Sequence, residues 1–172
     1  MQLIRCTKKL LYEMGFAPND VEDWPDTVSR LGDWYANLIY IERKKCALYV
    51  NGRTLLNFLV PGVKRADFCE AEEFFQRNFQ KLLAYEGIPQ ETIKTLLEDC
   101  GQIRFAPTKS KSVLGSMNDI ALNYRYEVMR HGGPEHSPMD QVMHELNRMP
   151  MMKLKFTLPI DELKAVLQLK HA

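Results

Sequence analysis

No run in this 172-residue chain approaches the ~20 consecutive apolar residues of a membrane-spanning helix, so a membrane partner is not expected. Nor is there an excess of either charge. Lys and Arg number 23 against 22 Asp and Glu, a net charge of +1, and nothing global draws the chain to a polyanion. Cys6, Cys46, Cys69 and Cys100 form no Cys-x-x-Cys pair, which argues against a structural zinc site. The opening MQLIRCTKKLLYEMG has too short an apolar run for a secretory signal, broken by Lys8, Lys9 and Glu13. The expectation is a cytoplasmic protein with reduced thiols. Also missing are the phosphate-cradling Gly-x-x-x-x-Gly-Lys frame, the Rossmann glycines, Gly-x-Ser-x-Gly and His-Glu-x-x-His. His131, His136 and His144 with Asp140 match no metal-ligand spacing, so neither metal nor cofactor is expected.

What is present is organised around residues 31–65, where the apolar runs WYANLIYI, CALYV and TLLNFLV are separated by ERKK and NGR. Each run is strand-sized and rich in aromatic and β-branched residues. Asn51-Gly52 offers the positive φ of a tight hairpin turn. The reading is a three-stranded meander at the centre of one sheet, with TLLNFLV as a central strand covered on both faces, where Asn57 needs a partner or a cavity. Met1–Cys6 reads as a strand and Lys8–Met14 as a helix capped by Thr7; residues 16–30, with Pro18, Asn19, Asp20, Pro25 and Asp26, read as an acidic loop held by Trp24. Periodicity predicts helices over Phe68–Glu86, the stretch after Pro89, Ser112–Met129 (capped by Ser112), the stretch after Ser137, and Pro159–Gln168. QIRFA and the alternating KLKFTL, residues 153–158, read as strands, the second as a lysine-protected edge. The fold class is α+β: an antiparallel or mixed sheet covered by helices, in one domain over 1–172. A body of about 3–126 is followed by a helix–strand–helix extension of about 131–172.

Charge is locally uneven. Arg43, Lys44, Lys45, Arg53, Lys64 and Arg65 crowd the meander, Lys109 and Lys111 form a second group, and Arg5, Lys8 and Lys9 a third. If strand ends bring them together they make a positive concavity for phosphates; otherwise they keep turns soluble. The segment TKSKSVLGSMND leads into a helix start that favours an anion, with Ser116, Asn118 and Asp119 following. Gly115 within it suggests close approach of a backbone or ligand. Asp33 reads as a turn cap or a base, Trp34 as a stacking platform or a core residue, and Asn37 as their polar neighbour.

Four phrases, IRCTKKLL, LGDWYANL, the run from RKKC to NGRTLLNFLVPGVKR, and SVLGSMND, resemble a family of small bacterial proteins known as domain of unknown function 6933, over roughly Leu3–Tyr126. The resemblance implies a bacterial cytoplasmic domain whose signature residues include Arg5, Lys8, Asp33, Asn37, Lys45, Asn51, Ser116, Asn118 and Asp119, and it brings no activity with it. The first functional expectation is a non-catalytic module for nucleic acid or nucleotide, in a plasmid, toxin–antitoxin or phage-defence setting. Its ligand groups would be Arg5, Lys8, Trp34, Asn37, Arg43, Lys45, Lys64, Arg65, Lys109, Lys111, Ser116, Asn118 and Asp119. The second is a subunit that neutralises or regulates a partner protein, and the third a phosphoester-processing enzyme with Asp33 or Asp119 as base. Oligomeric state is not legible from the residues.

Overall fold

Alternation along the central strands decides the architecture of the computed structural model, which describes residues 1–17, 20–26 and 29–169. Strand β2 (Trp34–Ile41) sends Trp34, Ala36 and Leu38 to one face and Tyr35, Ile39 and Ile41 to the other. Strand β3 (Lys44–Asn51) alternates likewise, so the sheet is apolar on both sides and is sandwiched between helices. With β1 (Gln2–Cys6), β4 (Asn57–Pro61) and β5 (Ile103–Pro107) the five strands lie in the order β4-β3-β2-β1-β5. The sheet is mixed: β1 runs parallel to β2 and to β5, while β2–β3 and β3–β4 are antiparallel.

On the first face pack α1 (Lys8–Glu13), α2 (Ala71–Tyr85), α3 (Gln90–Cys100) and α6 (Pro159–Val166). The second is covered by α4 (Lys111–Arg130) and α5 (Met139–Leu146). The stripes expected for α2 and α4 are the ones buried: Phe74, Phe75, Phe79, Leu82 and Leu83 on α2, and Val113, Met117, Ile120, Ala121, Tyr124 and Val128 on α4. Trp34 is fully buried on the first face, its ring centroid 5.0 Å from Phe79, 5.2 Å from Phe75 and 5.7 Å from Phe58. Burying each such ring stabilises by roughly 1.5–3 kcal/mol.

Five local expectations need correction. The meander is a wing of the sheet rather than its centre: β2 is the middle strand and β4 an edge, because β1 inserts between β2 and β5. The β3–β4 connection is wider than a two-residue turn, and neither Asn51 nor Gly52 takes a positive φ. Instead the Asn51 carboxamide oxygen accepts from the backbone N–H of Arg53 and Thr54 and from the Thr54 hydroxyl, and Leu55 takes φ 57°. The long helix is capped by Ser110, whose hydroxyl accepts from Val113 N–H, not by Ser112. Thr7 sits at the start of α1 without capping it, since its hydroxyl donates to the Asn37 carboxamide oxygen at 2.8 Å.

Lys153–Leu158 is not a strand. Met152–Leu154 form a 3₁₀ turn, and Lys155 and Phe156 follow with φ of 53° and 68°. At the β4 edge, the place of a pairing strand at Asn57 is already taken by Asn147. Its oxygen accepts from Asn57 N–H at 2.9 Å, and its Nδ2 donates to Asn57 O at 2.8 Å. The extension is therefore helix–turn–helix. The polar Asn57 finds its partners within this network: Tyr124 Oη donates to its oxygen at 2.8 Å, and its Nδ2 donates to Leu55 O. Of the loop residues named earlier, Pro18 and Asn19 lie outside the described residues.

All four cysteines are free; Cys6, Cys46 and Cys100 are buried and Cys69 is exposed. Burial pushes the thiols of Cys6 and Cys46 up and that of Cys100 to about 11, which keeps them protonated and unreactive at neutral pH. A neutral thiol reagent is therefore expected to label Cys69 alone in the native protein and all four after denaturation. Fast native labelling at a second cysteine would contradict the packing described.

Candidate functional site

Strands β1, β2, β4 and β5 all run the same way, since β2 and β4 are each antiparallel to β3. Their carboxyl ends and the β2–β3 turn consequently share one end of the sheet. To that end the chain delivers Lys8 after β1, Arg43, Lys44 and Lys45 at the β2–β3 turn, Lys64 and Arg65 after β4, and Lys109 and Lys111 after β5. At about 4.8 Å per strand, five strands spread these groups over roughly 19 Å. The row is stepped. Cys6 and Pro107 end level with Ala36, whereas β2 continues to Ile41, a further rise of roughly 16 Å. Between β1 and β5 the connections also diverge, β1 leading to α1 on one face and β5 to α4 on the other, the kind of switch point where open sheets tend to accept ligands.

Part of the row is already neutralised. Lys45 Nζ lies 2.7 Å from Glu13 Oε1, Lys44 Nζ 2.5 Å from Glu135 Oε1, and Lys109 Nζ 3.6 Å from Asp26 Oδ1. The hydrogen bond from Lys44 holds the Glu135 carboxyl below its ordinary value, and Glu13 raises Lys45 in the same way. Among the described residues no carboxylate comes within ion-pair distance of the side-chain cations of Lys8, Arg43, Lys64, Arg65 or Lys111, although Asp67 accepts from the Lys64 backbone N–H at 2.7 Å, and all five are exposed. Arg65 reaches back over Gly15 and adds to the positive field at Lys45. Two aromatic rings stand at the same end, Tyr12 on α1 at 75% exposure and Tyr40 at 40%, with Lys9 Nζ 4.4 Å from the centre of the Tyr40 ring. An open cleft beside the turn is lined by Glu42, Arg43, Lys44, Glu135 and His136.

Arg5 does not join the row. Its side chain is fully buried; Nε donates to Asp33 at 2.7 Å, Nη2 to Asp26 at 2.8 Å and to Trp24 O at 3.0 Å, and Nη1 to Asp23 at 3.3 Å and Pro107 O at 3.4 Å. Burial works against its charge, but the Asp33 hydrogen bond and the surrounding carboxylates outweigh that and leave the guanidinium above its ordinary value. Arg5 thus stitches the acidic loop and β5 to β1, and Asp33 is its counter-ion. Trp34, inside the core, has no surface to offer a ligand. Asn37 is half-buried against Thr7, Ser116 is buried, and Asn118 and Asp119 are exposed on α4. Gly115 meets no close neighbour, so the expected close approach is absent within the chain.

Sequence reasoning missed a second polar cluster. The Glu86 side chain is fully buried at the end of α2, with Oε2 2.7 Å from Arg148 Nη1 and 3.2 Å from His144 Nδ1, while its Oε1 has no hydrogen-bond partner. Arg148 also donates to His144 O, and the His144 ring meets Tyr85 edge-on. This cluster ties α5 to α2. Its only sequence signal was the i, i+4 spacing of His144 and Arg148, which cannot point to Glu86.

Among the described residues no three His, Cys, Asp or Glu side chains gather as metal ligands, and no helix is long and apolar enough to cross a membrane. No curated protein matches the chain. The family described as Domain of unknown function (DUF6933) matches residues 3–162, well past Tyr126 and into α6, so the helix–turn–helix extension is largely family property. With nearly its whole length matched, from the β1 arginine through the β4-edge asparagine, the chain belongs to the DUF6933 family.

Proposed function

We propose that the carboxyl end of the sheet binds an extended polyanion, best met by single-stranded nucleic acid, and that the protein acts there as a non-catalytic binding module. The observation that supports this most is the delivery of Lys8, Arg43, Lys64, Arg65 and Lys111, all exposed and, among the described residues, with no carboxylate at ion-pair distance from their side-chain cations, by four separate connections to one sheet end. A row roughly 19 Å long suits several phosphates in succession better than one nucleotide, which wants a concave apolar pocket. Tyr12 and Tyr40 beside it supply flat surfaces on which bases stack without sequence preference. Asp33 is engaged by Arg5, which favours binding over catalysis at that residue.

The test is anisotropy of a labelled single-stranded oligonucleotide with wild type and with the Arg43→Glu/Lys64→Glu/Arg65→Glu variant, using Arg77→Glu/Lys81→Glu/Lys94→Glu on the exposed sides of α2 and α3 as a charge-matched control. The triple variant is expected to lose at least about tenfold in affinity and to flatten the salt dependence by roughly one unit of slope per contact removed. Equal binding by wild type and triple variant would overturn the assignment of the site.

A further inference from the structure

Helix α4 is apolar on two sides. Its inner stripe is packed on the sheet, yet Leu122, Tyr126 and Met129 on the outer side are 59%, 68% and 48% exposed. A helix with apolar residues all round is normally buried all round. At about 100° per residue, Gly115, Asn118, Asp119, Arg125, Tyr126 and Met129 all fall within roughly 60° of the direction of Leu122. They form one continuous outer face.

We propose that this face pairs with the same face of a second copy, with the two α4 helices antiparallel and the two-fold axis at Leu122. The argument is self-complementarity. In such a pair a residue a given number of places before Leu122 lies level with the one the same number after it in the other copy. Gly115 then lies level with Met129 of the other copy, a bare stretch of backbone against a long thioether side chain. The space over Gly115 is open: beyond its own helix backbone and chain neighbours, no atom lies within 4 Å of where a Cβ would stand. Asn118 and Asp119 lie level with Tyr126 and Arg125. The carboxylate accepts from the phenol on one side of the axis, and the carboxamide oxygen accepts from the guanidinium on the other. Among the described residues the Arg125 guanidinium donates through its Nε alone, to Tyr40 O at 3.2 Å, which leaves its Nη groups for this contact. Leu122 meets its own copy on the axis. Acceptors before Leu122 and donors after it are what an isologous contact requires, and they also explain the glycine that the helix otherwise has no reason to tolerate.

One helix pair buries little, at the low end of stable interfaces of about 1,200 Å², so the expected dimer has a dissociation constant of the order of tens of micromolar. Sedimentation velocity of the full chain across that range is expected to show a reversible monomer–dimer equilibrium. Leu122→Asp is expected to hold it monomeric. Gly115→Leu separates the interface from the fold: the position is exposed, an added Cβ meets nothing within 4 Å, and leucine favours the helix, so thermal stability at low concentration is unchanged or higher while dimerisation is lost. A Leu122→Cys variant in a Cys69→Ser background is expected to form an intermolecular disulfide on mild oxidation, and Lys94→Cys in the same background is not. A chain that stays monomeric at every concentration, or a dimer indifferent to both substitutions at Leu122 and Gly115, would overturn the proposal.

Discussion

Arg5→Met is expected to lower the free energy of unfolding by about 3–5 kcal/mol, because it leaves a buried carboxylate without its cation. Asp33 is only 8% exposed and loses the Nε donor at 2.7 Å, while the carbonyls of Trp24 and Pro107 lose their guanidinium donors. Asp23 and Asp26, at 65% and 72% exposure, are solvated in its absence and contribute little. The effect should therefore be asymmetric: Asp26→Ala is expected to stay within about 1 kcal/mol of wild type, and Arg5→Met/Asp33→Leu to recover part of the loss by removing the orphaned charge. Urea denaturation measures all three. Because the same guanidinium holds residues 20–26, Arg5→Met should also make that segment susceptible to proteolysis at protease levels that spare wild type. A loss under about 1 kcal/mol would mean that Arg5 is not the buried clamp described.

Asn147→Ala is the second large effect, expected at about 2–4 kcal/mol. The carboxamide of Asn147 stands in for a missing neighbouring strand, accepting from Asn57 N–H and donating to Asn57 O, and it also donates to Met143 O. Both residues are buried, so truncation strands a backbone donor and a backbone acceptor away from water, each at about 1–3 kcal/mol. Hydrogen exchange gives the specific readout: the Asn57 amide should lose protection far more than those of Phe58 and Val60, which face β3 in the same strand. Uniform loss along β4, or no loss, would show that the asparagine is not sealing the edge.

These two residues mark the boundary of what the sequence could disclose. Helices with strong apolar periodicity, such as α2 with Phe74, Phe75, Phe79, Leu82 and Leu83, are legible because the pattern is local. The antiparallel pairing of β2, β3 and β4 follows from short connections in the same way. The parallel insertion of β1 between β2 and β5 is not local, and it alone turns the meander from a centre into a wing. KLKFTL alternates as well as any strand, but alternation needs an edge to pair with, and Asn147 had closed the one nearby. The unevenness of charge is legible in the residues, and its partners are not. A lone arginine between Leu3, Ile4 and Cys6 on a strand buried on both faces has to be paired, and the acidic loop of Asp23 and Asp26 was its visible complement. By contrast, the gathering of Lys8, Arg43, Lys64, Arg65 and Lys111 at one sheet end depends on strand direction, which no residue pattern states.

That gathering is most directly tested by the salt dependence of binding between the wild-type chain and a labelled single-stranded oligonucleotide. Five exposed side-chain cations neutralising up to about five phosphates imply a log–log slope of about −3 to −4, with clear binding at about 20 mM salt. Absence of binding at that salt, or an affinity indifferent to salt, would contradict the account.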